Sequence, residues 1–237
     1  IVSMRSKNPN DEFDAGLSLD IGEYAYKNLK TYVNISLING IAMRLNLGRS
    51  YHDGFRKNIS RSVSNSNKRN EEFFRLKLKF QTLKKFNLLL TVFLSDLDNG
   101  YDAFSLDNVR DTISDQPGFD RQQSEILSTK LSLTQFEKFK VEFLAGYADS
   151  ETEYAYDEDW VFSGFHPWEY SSNDQYFRNR ETASAELRFV SSNSGLIFSD
   201  TTDWIFGLYS LQQEVDLRRV YTFLPDHFSS RYDINRF

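Results

Sequence analysis

Residues 74–81 read FRLKLKFQ. Phe74, Leu76, Leu78 and Phe80 alternate with Arg75, Lys77, Lys79 and Gln81. Successive side chains of a strand point to opposite faces, so this octet predicts a strand with one apolar and one polar side. Three cations on one face would be costly in a dry core. That face needs water.

The same period runs outward from this octet. Downstream, Phe86, Leu88, Leu90, Val92 and Leu94 form one apolar face. Leu127, Leu131 and Leu133 form another, opposite Ser128, Lys130 and Ser132. Phe139, Val141, Phe143, Ala145 and Tyr147 follow, then Ala183, Ala185, Leu187 and Phe189 opposite Thr182, Ser184, Glu186 and Arg188. Trp204, Phe206 and Leu208 open a ninth face, and Arg231 to Phe237 begin a tenth strand. Upstream lie Ile41 to Leu47, Thr31 to Leu37 and Phe13 to Ile21, with the same alternation.

The connections predict a barrel. Ile38-Asn39-Gly40, Thr82 to Lys85 and Thr134 to Lys138 are short, the first with an Asn-Gly turn signal. Ser50 to Asn70, Asp96 to Gln122, Ala148 to Tyr176 and Glu214 to Ser229 are long and polar. Short turns at one end and long loops at the other describe a transmembrane β-barrel of the outer-membrane type. All four prolines, Pro9, Pro117, Pro167 and Pro225, fall outside the strand runs. The expected fold class is therefore all-β, an antiparallel transmembrane barrel segment of about nine to ten strands. Lys138 to Asp157 and Tyr176 to Val190 exceed the ~9–11 residues that cross a bilayer. They are expected to project above it, with Tyr147, Tyr154 and Tyr156 as an interfacial girdle and the wall above. A soluble antiparallel sheet with one wet face would show the same alternation.

Composition bounds the rest. The 237 residues contain no cysteine, which excludes disulfides and thiolate metal sites. A formal net charge of -6 argues against a nucleic-acid partner. Arg56-Lys57 and Lys68-Arg69 sit among Ser and Asn and read as solvated loop. Mean hydropathy is -0.55, and no run approaches the ~18–20 apolar residues of a membrane helix. Barrel strands evade that test, since each turns only every second residue to lipid. Ile1 to Met4 carry no signal-peptide pattern, and the final residues stop inside a strand pattern. The sequence is accordingly expected to be a piece of a longer chain.

Five stretches, in order, resemble TonB-dependent receptors of a gammaproteobacterial branch. They are IVSMRSKNPNDEF (1–13), NLGRSYHDGFRKN (46–58), SDLDNGYDAFSLDNVRDTISDQPG (95–118), YAYDEDWVFSGFHPWEYSS (154–172) and DWIFGLY (203–209). The resemblance covers essentially the whole chain. It implies a 22-stranded barrel, with residues 1–12 as the end of the plug domain and the lead-in to the barrel. Residues 13–237 would be the N-terminal part of that barrel. It also implies residence in a Gram-negative outer membrane, with outer-membrane lipid around the chain and a TonB complex acting through an N-terminal part that this sequence lacks. The expected function is uptake of a scarce nutrient, with a ferric siderophore or similar metal chelate first. Oligosaccharide or cobalamin uptake is the alternative ligand class. A plain porin and a soluble all-β carbohydrate-binding module are the alternative proteins.

No catalytic motif appears, so no enzyme and no cofactor are expected. His52, His166 and His227 are far apart and all expected in loops, so no metal site is expected. The acidic run Asp96 to Asp102 hints at a calcium loop, but its Gly falls one position early for an EF-hand and it reads as a solvated loop. The candidate ligand-binding residues are Asp157, Asp159, Trp160, His166, Trp168 and Tyr170. Here carboxylates and large aromatics share one long external loop, and loops on a rigid scaffold often carry binding. The competing reading is that these aromatics pack the loop against its neighbours.

Overall fold

The computed structural model describes residues 5–82, 85–165, 171–223 and 226–236. Its strands are β1 (Asp14–Ile21), β2 (Lys27–Ile38), β3 (Ile41–His52), β4 (Arg56–Asn58), β5 (Val63–Ser66), β6 (Arg69–Thr82) and β7 (Phe86–Tyr101). There follow β8 (Asp111–Thr112), β9 (Gly118–Leu133), β10 (Phe139–Asp157), β11 (Ser172–Ser191), β12 (Ile205–Phe223) and β13 (Asp226–Arg236). Ten of them form one sheet in the order β1-β2-β3-β6-β7-β9-β10-β11-β12-β13. Every neighbour pair in it is antiparallel. The other three, from two loops, form a small sheet β5-β4-β8. The all-β, antiparallel barrel-segment expectation holds.

Register carries the period from strand to strand. Val33, Leu45, Leu76, Val92, Leu127, Tyr147 and Ala183 stand opposite one another across seven strands. One position along, Asn34, Arg44, Lys77, Thr91, Ser128, Gly146 and Ser184 do the same on the other face. A one-residue slip in any ladder would mix these two rows. The apolar row lies in an outward belt that leaves Leu47, Leu94, Leu127, Phe143 and Leu208 exposed. The polar row has partners inside. Asn34 is fully buried and donates to Asn10 O (3.1 Å) and Glu12 O (2.5 Å). Lys77 Nζ donates to Ser6 O (3.0 Å) and Asn8 Oδ1 (2.8 Å). Residues 6–12 therefore lie along the inner wall, and the polar face is the inner one. That face is not uniformly polar: by register, Leu89, Phe93, Ile126, Leu144 and Leu211 also point inward.

Several connections differ from expectation. β12 runs to Phe223 and β13 starts at Asp226, so the long loop expected over Glu214 to Ser229 is a continuous hairpin. The alternating residues Val215, Leu217 and Arg219 carry the strand on, masked in sequence by the charges between them. Asp96 to Tyr101 is likewise strand, not loop, and His52 ends β3 rather than lying in a loop. His227 falls in β13. The opposite end carries one long connection, 192–204, where Trp204 Nε1 donates to Gly195 O at 2.8 Å. At the short turn Gly40 has φ +80°, whereas Asn39 is not left-handed. The turn thus differs from the form with two positive φ angles that Asn-Gly most often takes.

Above the belt the outer wall turns acidic: Glu125, Asp149, Glu181 and Glu214 are register neighbours. Asp149 follows Tyr147 on the outer face of β10, so the belt ends there and the top of the strand projects beyond it. Tyr154 and Tyr156 have the opposite parity to Tyr147, with no register shift between them. Only Tyr147 points outward, and the expected common girdle is corrected.

The face assignment has a direct consequence. Leu90→Arg, in the outward belt, should cost about 2–4 kcal/mol in a lipid-folding equilibrium. Thr91→Arg, next in sequence but inward, should cost much less. Equal costs would mean that the two faces are misassigned.

Candidate functional site

Three strands place a polar–aromatic pair on the inner wall above the belt. Tyr154-Ala155-Tyr156 lies on β10, Asp174-Gln175-Tyr176 on β11 and Arg219-Val220-Tyr221 on β12. Residues two apart share a strand face, and the register sets Tyr154 against Tyr176, Tyr156 against Asp174, Tyr176 against Arg219, and Asp174 against Tyr221. The sequence carries the cluster in these i, i+2 pairs, but the charges between Val215 and Arg219 hide the strand that completes it.

Asp174 is its electrostatic centre. The carboxylate is buried and takes a two-pronged contact from Arg219, Nε to Oδ1 at 2.8 Å and Nη2 to Oδ2 at 2.7 Å. Tyr176 OH (2.8 Å) and Tyr156 OH (3.3 Å) also donate to Oδ2. Burial pushes the Asp174 carboxyl up, but the hydrogen bonds from Arg219 and Tyr176 and the guanidinium charge outweigh it and hold it below the usual carboxylate range. The Arg219 guanidinium lies 5.4 Å from the Tyr176 ring centre and 5.5 Å from that of Tyr221. Tyr221 OH donates to Glu158 Oε2 at 2.6 Å.

Aromatic rings extend the patch sideways. Tyr101 at the end of β7 meets Tyr154 edge-on at 5.0 Å and Phe104 at 5.7 Å. Phe104 stacks on Trp160 at 4.7 Å with 7° between the planes. Burial, then a hydrogen bond with Tyr101, pushes the Tyr154 phenol above its ordinary range, so it stays a neutral hydroxyl. A Cβ on Gly118 would lie 1.6 Å from Ala155 O, so only glycine fits there.

The expected loop residues divide. Trp160 has φ +64° and packs on Phe104 from the neighbouring loop. Asp159 accepts from Val161 N (3.1 Å) and Ser172 N (3.0 Å), closing the base of its own loop. Asp157 ends β10, buried, with neither oxygen hydrogen-bonded. Burial pushes its carboxyl up to about 7. His166, Trp168 and Tyr170 lie outside the described residues. The structure thus brings Trp160 to the edge of the tyrosine cluster, while Asp159 serves its loop. Among the described residues no three His, Cys, Asp or Glu side chains gather as metal ligands, and no helix is long and apolar enough to cross a membrane.

Comparison with solved structures supplies the architecture that this sheet belongs to. The ferric yersiniabactin uptake receptor FyuA from Yersinia pestis superposes with a TM-score of 0.80 over 97% of this chain, at 13% identity. The likeness is one of fold: the ten-stranded sheet matches a segment of that receptor. The FpvAI–pyocin S2 complex matches at TM-score 0.60 and 10% identity over 97% of the chain. The siderophore receptor PiuA from Acinetobacter baumannii matches at 0.54 and 11% over 98%. The chain spans 35%, 39% and 47% of those three chains, respectively. A scan against protein-family models and a search of curated proteins found no match.

The Arg219–Asp174 contact should be measurable. Arg219→Met leaves a buried carboxylate short of its main donors and should cost about 1–3 kcal/mol in urea unfolding. In an Asp174→Asn background the same change should cost clearly less. Additive losses would mean that the pair is not coupled.

Proposed function

We propose that this chain is part of the barrel wall of a TonB-dependent outer-membrane receptor, whose inner tyrosine–arginine–aspartate cluster contacts a metal chelate. The cluster carries the reading. It combines flat ring faces, phenol hydroxyls and a half-exposed guanidinium on the inner wall above the belt, where a ligand entering from outside would first meet the lumen. Aromatic faces suit planar chelating groups. The planar donor fork of arginine suits carboxylate or hydroxamate oxygens.

Other features support the same placement. The outward belt suits lipid, since large contiguous exposed apolar surfaces mark membrane or protein contacts. The neighbours in fold include proteins described as a ferric yersiniabactin uptake receptor and a siderophore receptor. Residues 6–12, held to the inner wall by Asn34 and Lys77, fit a segment passing from a plug inside the lumen into the first strand. In this reading residues 1–12 end the plug, and the TonB complex acts upstream of them. His166, Trp168 and Tyr170, which follow Trp160 in the sequence, are proposed as further ligand contacts, and Trp160 itself packs on Phe104. The chain acts as a binding and transport wall rather than as an enzyme.

Uptake of labelled ferric chelates by the intact protein, in a strain lacking its own siderophore receptors, tests this reading. Uptake should require a working TonB complex. Tyr154→Ala or Tyr176→Ala should weaken chelate binding by up to about tenfold, the scale of one aromatic contact. Equal uptake without TonB would favour a plain porin. Failure of every iron chelate would move the ligand to oligosaccharides or cobalamins.

A further inference from the structure

The buried Asp157 has company. Asp102, just past the end of β7, is 4% exposed, Ser114 is 3% exposed and Asp157 is 5% exposed. All three line one small cavity, with Tyr101, Ala103, Phe104 and Trp160 completing its wall. Asp102 uses Oδ2 to accept from Asn58 Nδ2 (3.0 Å) and Thr112 Oγ1 (2.9 Å). Its Oδ1 has no partner. Neither oxygen of Asp157 has one, nor does the hydroxyl of Ser114. Ser114 and Asp159 lie close enough to perturb Asp157, yet neither makes a hydrogen bond of good geometry to it. Four buried oxygens without partners thus border one space.

Native proteins rarely leave such atoms alone, and an unpaired buried carboxylate is costly. Local hydrogen bonds have already fixed the frame around the gap. Asn58 Nδ2 also donates to Ser114 O (2.9 Å), and β4 pairs with β8 through Lys57–Asp111 and Asn58–Thr112. The loop preceding β6, the loop preceding β9 and the top of β10 therefore meet at this point. The cavity measures about 10 Å³, room for one water or one ion.

We propose that this cavity is a calcium site, with Asp102, Asp157 and Ser114 as its side-chain ligands. Two carboxylates balance a divalent charge, and every free ligand atom is oxygen, the donor that hard cations prefer. Calcium accepts six to eight oxygens in flexible geometry, whereas magnesium demands a stricter octahedron. Extracellular modules bind calcium at about 10⁻⁴–10⁻³ M. The ion would tie the loop after β7 to the top of β10, and so fix Tyr101, Phe104 and Trp160 relative to Tyr154. This differs from the EF-hand spacing that the acidic run Asp96 to Asp102 fails to meet. Of that run only Asp102 takes part, and its partner ligands come from 12 and 55 residues further along.

The site is tested on the intact protein in detergent after chelator treatment, with terbium and calcium as probes. Trp160 and Tyr101 line the cavity, so excitation of the aromatics should give saturable terbium emission that calcium displaces. Asp157→Asn should weaken that affinity by at least about 10–100-fold, the loss that follows removal of residues that only support a ligand. Glu151→Gln, on the outer wall of the same strand, should leave it unchanged. Calcium at millimolar concentration should also raise the melting temperature of the unmodified protein, because it binds only the folded state. This second reading needs no variant to fold. Emission that survives Asp157→Asn would overturn the site, as would a melting temperature indifferent to calcium. Equal stabilisation by magnesium would overturn the assignment of the ion.

Discussion

Everything in this sheet depends on one constraint: each backbone must pair with its neighbours while each strand shows apolar side chains on one side only. Antiparallel ladders meet the first demand. Register meets the second, because one shared parity must survive every strand crossing. From β2 to β11 it does, so the row that starts at Val33 is still outward at Ala183. The inner face is then free to carry charged and polar groups. Arg44 and Lys77 are buried there, in a row with Asn34, and the segment 6–12 supplies oxygens to Asn34 and Lys77.

The same parity builds the candidate site. Above the belt the strands continue, and a tyrosine two residues from another polar group falls on the same wall. β10, β11 and β12 each contribute one such pair, and hydrogen bonds to a single carboxylate gather them. Asp174 organises the patch because burial leaves it no solvent, while Arg219, Tyr176 and Tyr156 replace the water. The aromatic edge from Tyr101 to Trp160 then joins the wall to the loops.

Much of the fold was legible because alternation is a strong signal wherever the polar face is charged. FRLKLKFQ leaves no ambiguity, and neither does the Glu186–Arg188 face. Legibility failed where both faces become polar. Beyond Gln212 the outward residues are Glu214, Asp216 and Arg218, so β12 resembled a loop although it runs to Phe223. The same effect hid the upper ends of β7 and β9. The site was missed for a related reason. The loop aromatics stand close together in sequence, whereas Asp174 and Arg219 lie 45 residues apart and meet only through ladder register. Trp160 was found from sequence, but its partner Phe104 comes from another loop, a contact that spacing alone does not encode.

The most direct test of this account uses the absence of native cysteine. Single cysteines placed at positions 142 to 147 of β10 in the intact, membrane-inserted protein can each carry a fluorophore. Quenchers attached to lipid tails should then dim positions 143, 145 and 147, and aqueous quenchers positions 142, 144 and 146. That alternation would establish a lipid-facing belt with a wet inner wall. Uniform quenching by the aqueous reagent along all six positions would contradict it and leave a soluble sheet.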